Sequence, residues 1–389
     1  MGGGPAALMV AAFLDLSKFK VTIYEKNKAV GRKFLVAGKG GFNLSYADTV
    51  EELINKYDKP SLLAKALKRF NNQDLRNWLY KIGINTYVGT SNRIFPERGI
   101  KPIEVLNAIV NHIKDKQVEI MLEHHWNGWT KDGSLQFDKD RIIKADIVIF
   151  AMGGASWKIT GSDGSWKEVF ESNNILCREF EASNCAYEID WPKELIQKHE
   201  GAPLKNIALS MKGRSIKGEL VITRFGLEGA PIYAFSPEIR TALKSEGKVE
   251  IGLDLKPQLE EEKLVEKISN KDGKKITEVL KKYLKLKTAQ IDLIKSQTDR
   301  ETFTDPSLLA EKIKNINLTL VGIAPIDEAI STVGGIATSE LSKNFELTKM
   351  QDHYCIGEMI DYDAPTGGYL LQSCFSMGVY LANYLNEHS

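Results

Sequence analysis

Apolar and polar positions along the chain fall into blocks of helical and of strand length, and their order predicts a mixed α/β protein. An apolar run from Leu8 to Leu14, opened by Gly2-Gly3-Gly4-Pro5, reads as a helix, and Val21-Thr22-Ile23-Tyr24 reads as a short strand ending on Glu25. Between about 51 and 83, Leu62, Leu63, Leu67, Phe70, Leu75, Trp78 and Leu79 recur near helical spacing. From 118 to 137 the alternation predicts a hairpin turning at Lys131-Asp132-Gly133. The continuous run Asp146-Ile147-Val148-Ile149-Phe150 reads as a buried strand delivering Gly153-Gly154 into a loop. Short β-like runs follow, among them Ile207–Met211 and Gly218–Ile222, then a Lys/Glu-rich helical stretch over 257–314. Glycine-rich segments return from Thr332, and an apolar helix from Gln372 to Leu385 closes the chain. This order predicts a discontinuous organisation: one domain from 1–160 and 331–389, a β-rich insert from 161–255 and 315–330, and a helical subdomain over 256–314.

Composition narrows the function classes. At 389 residues, two or three domains are expected. The 52 basic and 51 acidic residues leave a net charge of +1, which gives no footprint for nucleic acid or an anionic membrane. Apolar stretches such as Ile147 to Met152 are strand-sized, and no export signal precedes the first motif, so a cytoplasmic protein handling a small-molecule substrate is expected. Cys177, Cys185, Cys355 and Cys374 form no C-x-x-C pair and read as buried thiols. The six histidines lack metal-binding spacing, His124 and His125 would face opposite sides of a strand, and no metal is expected.

Three constellations carry chemistry. Gly2-x-Gly4-x-x-Ala7 opens a helix, and Glu25 follows Ala7 by 18 residues at the end of the next strand. Here the first glycine makes the turn, the second admits a pyrophosphate, the small third residue permits close packing, and the acid holds a ribose. The helix N-terminus favours the anion. Gly2, Gly4, Pro5, Ala6, Glu25 and Lys26 are therefore the candidate pyrophosphate and adenosine contacts, and Glu at that position disfavours a 2′-phosphate. The strand that should deliver the chain to this loop is not visible, because Met1 alone precedes the glycines; a late start and a truncated chain are the two readings. Second, Gly153 and Gly154 follow the buried strand and are candidate cofactor contacts. Third, the run from Tyr354 to Gln372 places Gly357, Glu358, Asp361 and Asp363 where carboxylates can hold ribityl hydroxyls, and Gly367, Gly368 and Tyr369 where backbone N–H groups can face a flavin's pyrimidine edge.

The stretches from Gly31 to Leu44, Thr332-Val333-Gly334-Gly335-Ile336 and Gly357 to Gln372 resemble the BaiN-like (YhiN-like) family of bacterial NAD(P)/FAD-dependent oxidoreductases, and the resemblance covers nearly the whole chain. It implies a Rossmann-type FAD-binding domain, discontinuous in sequence, with an inserted β-barrel-like domain and a small helical domain. Arg32, Lys33, Gly40, Gly41 and Asn43 would follow the diphosphate and ribityl chain. The segment Thr223 to Pro231 is similar to the family's flavin-facing segment. Phe42 stands where many members have Cys, and Arg224 where many have His, so neither a thiol nor a histidine acid carries over. Arg224, Tyr233 and Tyr369 remain the candidate proton donors. No second G-x-G-x-x-G follows, so NAD(P)H would be a transient co-substrate for hydride transfer through FAD to a small organic molecule. The competing readings are a non-catalytic flavin-binding protein or a truncated paralogue that binds FAD weakly, and a flavoprotein that modifies RNA, which the neutral charge disfavours.

Overall fold

A computed structural model of the chain describes residues 1–36, 42–138, 140–270 and 273–388. The chain divides into two compact units, Met1–Ser183 with Ala329–Ser389, and Asn184–Glu328. In the first unit, helix α1 (Pro5–Phe13) is followed by strands β1 (Thr22–Tyr24), β2 (Ser45–Tyr46), β3 (Thr86–Val88), β4 (Arg93–Pro96) and β5 (Glu119–Met121).

Two parallel strand pairs form the base of this unit. β1 lies beside β5 with Ile23 opposite Ile120, and Val148–Phe150 lies beside His353–Cys355 with Ile149 opposite Tyr354. Met1 and Gly2 tie the pairs together at their C-terminal ends. The Met1 amine donates to Ile149 O, Ala151 N donates to Met1 O at 2.8 Å, and Gly2 N donates to Tyr24 O at 2.9 Å. Toward the other end of the strands runs a groove of about 130 Å³, walled by Val10, Leu14, Val21, Ile23, Ile147 and Ile149 among others.

The expected hairpin over 118–137 is corrected. Glu119–Met121 pairs in parallel with β1, and the hairpin begins later, joining Trp126–Trp129 to Leu135–Phe137. Alternating polarity describes any half-buried strand and does not reveal whether its partner is local. The turn itself is as read: Gly133 sits at φ +81°, and Thr130 N donates to Ser134 O at 2.8 Å.

Local signals explain the helices over 50–81. Thr49 and Asn71 each close a capping box, and Pro60 occupies the first turn of Pro60–Arg69. The C-terminal helix Tyr369–His388 crosses α1 closely, because a Cβ on Gly378 would lie 2.5 Å from Ala6 O.

Among the described residues the second unit holds seven strands, all antiparallel, running from Ile316–Leu320 at one end to Gly322–Ile323 at the other. Only Val321 separates those two end strands in sequence, so the sheet curls back on itself as a barrel does. Helices Glu261–Ser269, Ile276–Lys282 and Pro306–Lys314 bury Leu264, Ile268, Val279, Leu280, Leu309 and Ile313.

Candidate functional site

The glycine turn and the acid that follows it meet in space. Gly2 holds φ +89°, and a Cβ there would lie 2.4 Å from the carbonyl oxygen of Ala151. No side chain caps the N-terminus of α1, which starts on Pro5, so the orphan N–H groups of its first turn are left without a side-chain acceptor. Glu25 is buried at the end of β1, and its Oε2 accepts from Gly3 N at 2.7 Å. Its Oε1 accepts from Asn27 N at 2.8 Å and Asn27 Nδ2 at 2.6 Å. One carboxylate thus sets the geometry of the loop.

These groups border a cavity of about 240 Å³ that lies wholly within the first unit. Of the expected residues, Gly2, Gly4, Pro5, Ala6, Glu25, Lys26, Arg32, Lys33, Gly153, Gly357 and Glu358 line it. Its cations are held by partners. Lys26 Nζ lies 2.8 Å from both Asp163 oxygens, and Arg32 donates to Asn27 Oδ1 and Ile159 O, each at 2.7 Å. Lys33 Nζ donates to Glu358 Oε2 at 2.7 Å and Ser156 Oγ at 2.9 Å, while Glu358 Oε1 accepts from Thr332 N at 3.1 Å. Gly154 stands behind this pair, where a Cβ would lie 2.0 Å from Thr332 Oγ1.

Glu358 is 7% exposed and its lysine 24%, so losing the cation leaves a carboxylate in a dry site. Lys33→Met is expected to destabilise the protein by about 2–3 kcal/mol, somewhat below a fully buried pair because the lysine is partly wet. Urea unfolding checks this; the Lys33→Met/Glu358→Gln double variant should recover part of the loss.

Other expected residues lie elsewhere. Asp361 accepts from Lys59 Nζ at 2.5 Å and Gly334 N at 3.1 Å, and Asp363 accepts from Ser183 Oγ at 2.6 Å. Both carboxylates are engaged in joining loops and neither borders the cavity. Asn43, Gly367, Gly368 and Tyr369 gather at the start of the C-terminal helix, away from the cavity lining. Gly40 and Gly41 fall outside the described residues. Arg224 pairs with Glu328 at 2.7 Å and covers the Phe225 ring, and burial pushes the Tyr233 phenol well up. Tyr369 donates its hydroxyl to Asp48 at 2.6 Å.

Sequence reasoning missed Asn27, His124, His125 and Trp166, which also line the cavity. His124 and His125 do not alternate across a strand as expected; they precede Trp126–Trp129, and both border the cavity. A C-terminal contributor, Cys374, has its thiol pushed up to about 12 by burial, so it stays protonated. Among the described residues no group of three His, Cys, Asp or Glu could hold a metal ion, and no helix is long and apolar enough to cross a membrane.

The donor set fits a dinucleotide. A Cβ on Gly4 would meet nothing nearer than Ala151 O at 3.9 Å, so the chain's own packing does not require glycine there. Gly4 instead leaves the cavity floor open above a helix N-terminus, with three cations and two buried carboxylates, Glu25 and Glu358, around it. That is the complement of a diphosphate joined to a ribose.

Fold and cradle together define a Rossmann-type FAD-binding oxidoreductase. The chain belongs to the family described as HI0933-like protein Rossmann domain, whose model matches residues 1–384. It is 24% identical to a 3-dehydro-bile acid delta(4,6)-reductase of Clostridium scindens, over 98% of this chain and 97% of that one. It is 22% identical to a ribosomal RNA dihydrouridine synthase of Haemophilus influenzae, over 97% and 95%. Among solved structures it shares its fold with a flavocytochrome c3 fumarate reductase (TM-score 0.52, 14% identity, 100% of this chain and 77% of that one). It shares it also with a 3-ketosteroid-delta4-(5alpha)-dehydrogenase from Rhodococcus jostii RHA1 (TM-score 0.50, 11% identity, 98% and 95%).

Proposed function

We propose that this chain is a cytoplasmic FAD-dependent reductase that saturates a carbon–carbon double bond conjugated to a carbonyl group in a small organic substrate, with NAD(P)H as electron donor. The observation that carries the reading is the glycine loop locked to Glu25 around a cation-lined cavity. The substrate class is supported by the relatives' names. A delta(4,6)-reductase of a 3-dehydro bile acid and a synthase of dihydrouridine both point to removal of a double bond that lies in conjugation with a carbonyl. Near-equal numbers of acidic and basic residues favour a small molecule over RNA.

In this reading Gly2, Gly4, Pro5 and Ala6 seat the diphosphate, Glu25 the adenosine ribose, and Lys26, Arg32 and Lys33 the surrounding charge. Gly153, Gly357 and Glu358 flank the remainder of the cofactor. Bound FAD would supply the two-electron redox chemistry. Overall, NAD(P)H and a proton are consumed, the double bond becomes a CH–CH single bond, and NAD(P)⁺ leaves. The sequence has no second G-x-G-x-x-G for the nicotinamide, so NAD(P)H docks transiently.

The purified protein should carry FAD and consume NADH or NADPH anaerobically with 2-cyclohexen-1-one or a 3-oxo-Δ4 steroid. Turnover only on a uridine-containing RNA fragment would overturn the small-molecule assignment. Glu25→Arg should cut FAD retention by about tenfold or more, because a charge-assisted hydrogen bond is worth roughly 1.5–3 kcal/mol. Absorbance of the purified variant reads this directly; unchanged flavin content contradicts the role of Glu25.

A further inference from the structure

Outside the cavity, three polar atoms gather at one glycine turn with nothing to bond. Asn43 Nδ2, Ser45 Oγ and Arg93 Nε are shut off from solvent and have no hydrogen-bond partner among the described residues. Ser45 as a whole is fully buried. The antiparallel pairing of β2 with β4 sets Ser45 opposite Ile94 and Tyr46 opposite Arg93, which brings these groups onto one small sheet. Gly367 and Gly368, at φ +110° and +95°, press against it. A Cβ on Gly368 would lie 2.6 Å from Asn43 Nδ2 and 2.7 Å from Ser45 N, and one on Gly367 would lie 3.6 Å from Arg93 Nε. Beside them the rings of Tyr46 and Tyr369 stack at 5.2 Å and 19°, making a flat wall.

The chemistry of the cluster is one-sided. Asn43 Nδ2 and Arg93 Nε can only donate, and Ser45 Oγ can do so. Buried donors without acceptors cost stability and persist where something else supplies the acceptor. The cavity's lysines hold carboxylates, Lys26 with Asp163 and Lys33 with Glu358, whereas Arg93 Nε has no such partner. Tyr369 gives its hydroxyl proton to Asp48.

We propose that Arg93, Asn43 and Ser45 form a seat for the carbonyl oxygen of a flat conjugated ring, an oxygen that gains negative charge when electrons enter that ring. The inference rests on the reading given under Proposed function. Two groups there carry such an oxygen, the substrate's conjugated carbonyl and the pyrimidine carbonyl of the flavin. Arg93 is a binding and positioning residue in either case, because a guanidinium beside the oxygen holds it in place and stabilises its charge.

The test uses the purified holoprotein and its Arg93→Met, Arg93→Lys and Asn43→Ala variants. FAD affinity is measured by refilling stripped protein, and affinity for 4-chlorophenolate, a flat ring bearing an anionic oxygen, by its long-wavelength absorbance band over bound flavin. Arg93→Met should weaken one of the two by at least about tenfold, as expected for loss of a charge-assisted hydrogen bond. Arg93→Lys should restore part of it. Weaker phenolate binding with FAD retained assigns the seat to the substrate; weaker FAD binding assigns it to the flavin. Melting of the flavin-free protein gives an independent readout: removing an unsatisfied buried donor should leave the melting temperature unchanged or higher. Unchanged affinity for both ligands, or a lower melting temperature in Arg93→Met, overturns the proposal. Failure of the proposed reaction would show separately, as absence of NAD(P)H-dependent enone reduction by the parent protein.

Discussion

Gly4→Ala is expected to strip FAD from the protein while leaving the flavin-free fold nearly as stable as before, and Gly2→Val is expected to damage both. The two glycines are two residues apart, yet different things require them. At Gly2 a Cβ would sit 2.4 Å from Ala151 O and 2.9 Å from Ala151 C, backbone atoms that cannot swing aside, and the residue holds φ +89°. A β-branched residue forced into that region costs about 1–3 kcal/mol before the clash is counted. Relief would require moving the end of the Val148–Phe150 strand, so a loss above about 3 kcal/mol is expected in urea unfolding. At Gly4 the backbone is extended, with φ −82° and ψ 176°, and a methyl group finds open space. The fold there should lose under about 1 kcal/mol, the difference between Gly and Ala at a helix N-cap. A diphosphate resting on the helix start would meet that methyl group directly. Flavin content below a tenth of the parent's, with a melting temperature of the stripped protein barely changed, is the expected signature. If Gly4→Ala retains its flavin, the cavity does not hold the diphosphate at this point.

What could be read from the chain was what is local in it. The glycine turn, the first apolar helix and the spacing to Glu25 are set within 25 residues, and the cavity forms around them. The capping boxes at Thr49 and Asn71, seen in the structure, are local in the same way. Non-local pairings were not legible. Glu119–Met121 alternates like a hairpin strand but joins β1 through a crossover of nearly a hundred residues. His124, His125 and Trp166 reach the cavity from segments with no recognisable motif. Asp361 and Asp363 read as ribityl ligands because acids in a glycine-rich loop resemble a binding site; in the structure they accept from Lys59, Gly334 N and Ser183 and lie outside the cavity lining. Arg93 carried no signal at all: one arginine in a strand is ordinary, and only its lack of a partner sets it apart.

An apolar strand joined by a peptide bond ahead of Met1 is expected to raise the melting temperature and to abolish a pH dependence of stability. The groove between β1 and Val148–Phe150 is walled by Val10, Leu14, Val21, Ile23, Ile147 and Ile149, and neither strand is paired to the other directly. An extended segment of roughly five β-branched residues, preceded by lysines for solubility, matches the length of a buried parallel strand. Burying its large side chains contributes about 1.5–3 kcal/mol each, and ordering each residue costs about 1–2 kcal/mol, so a net gain of a few kcal/mol is expected. In a protein made to begin at Met1, the α-amino group is buried, and burial pushes its pKa from 8.0 to about 5. The folded protein then holds that amine neutral while the unfolded chain protonates it below 8.0. Between about pH 5 and 8 the unfolded state binds the extra proton, so stability rises with pH through this window and is complete above it. At about 1.4 kcal/mol per unit, the swing is at most roughly 4 kcal/mol. The extension converts the amine to an amide that can donate to Ile149 O without a charge, and that slope should vanish. Thermal melts of both proteins at pH 5.5 and pH 8 decide the matter. If the extended protein melts no higher, or keeps the same pH slope, the groove does not accept a strand.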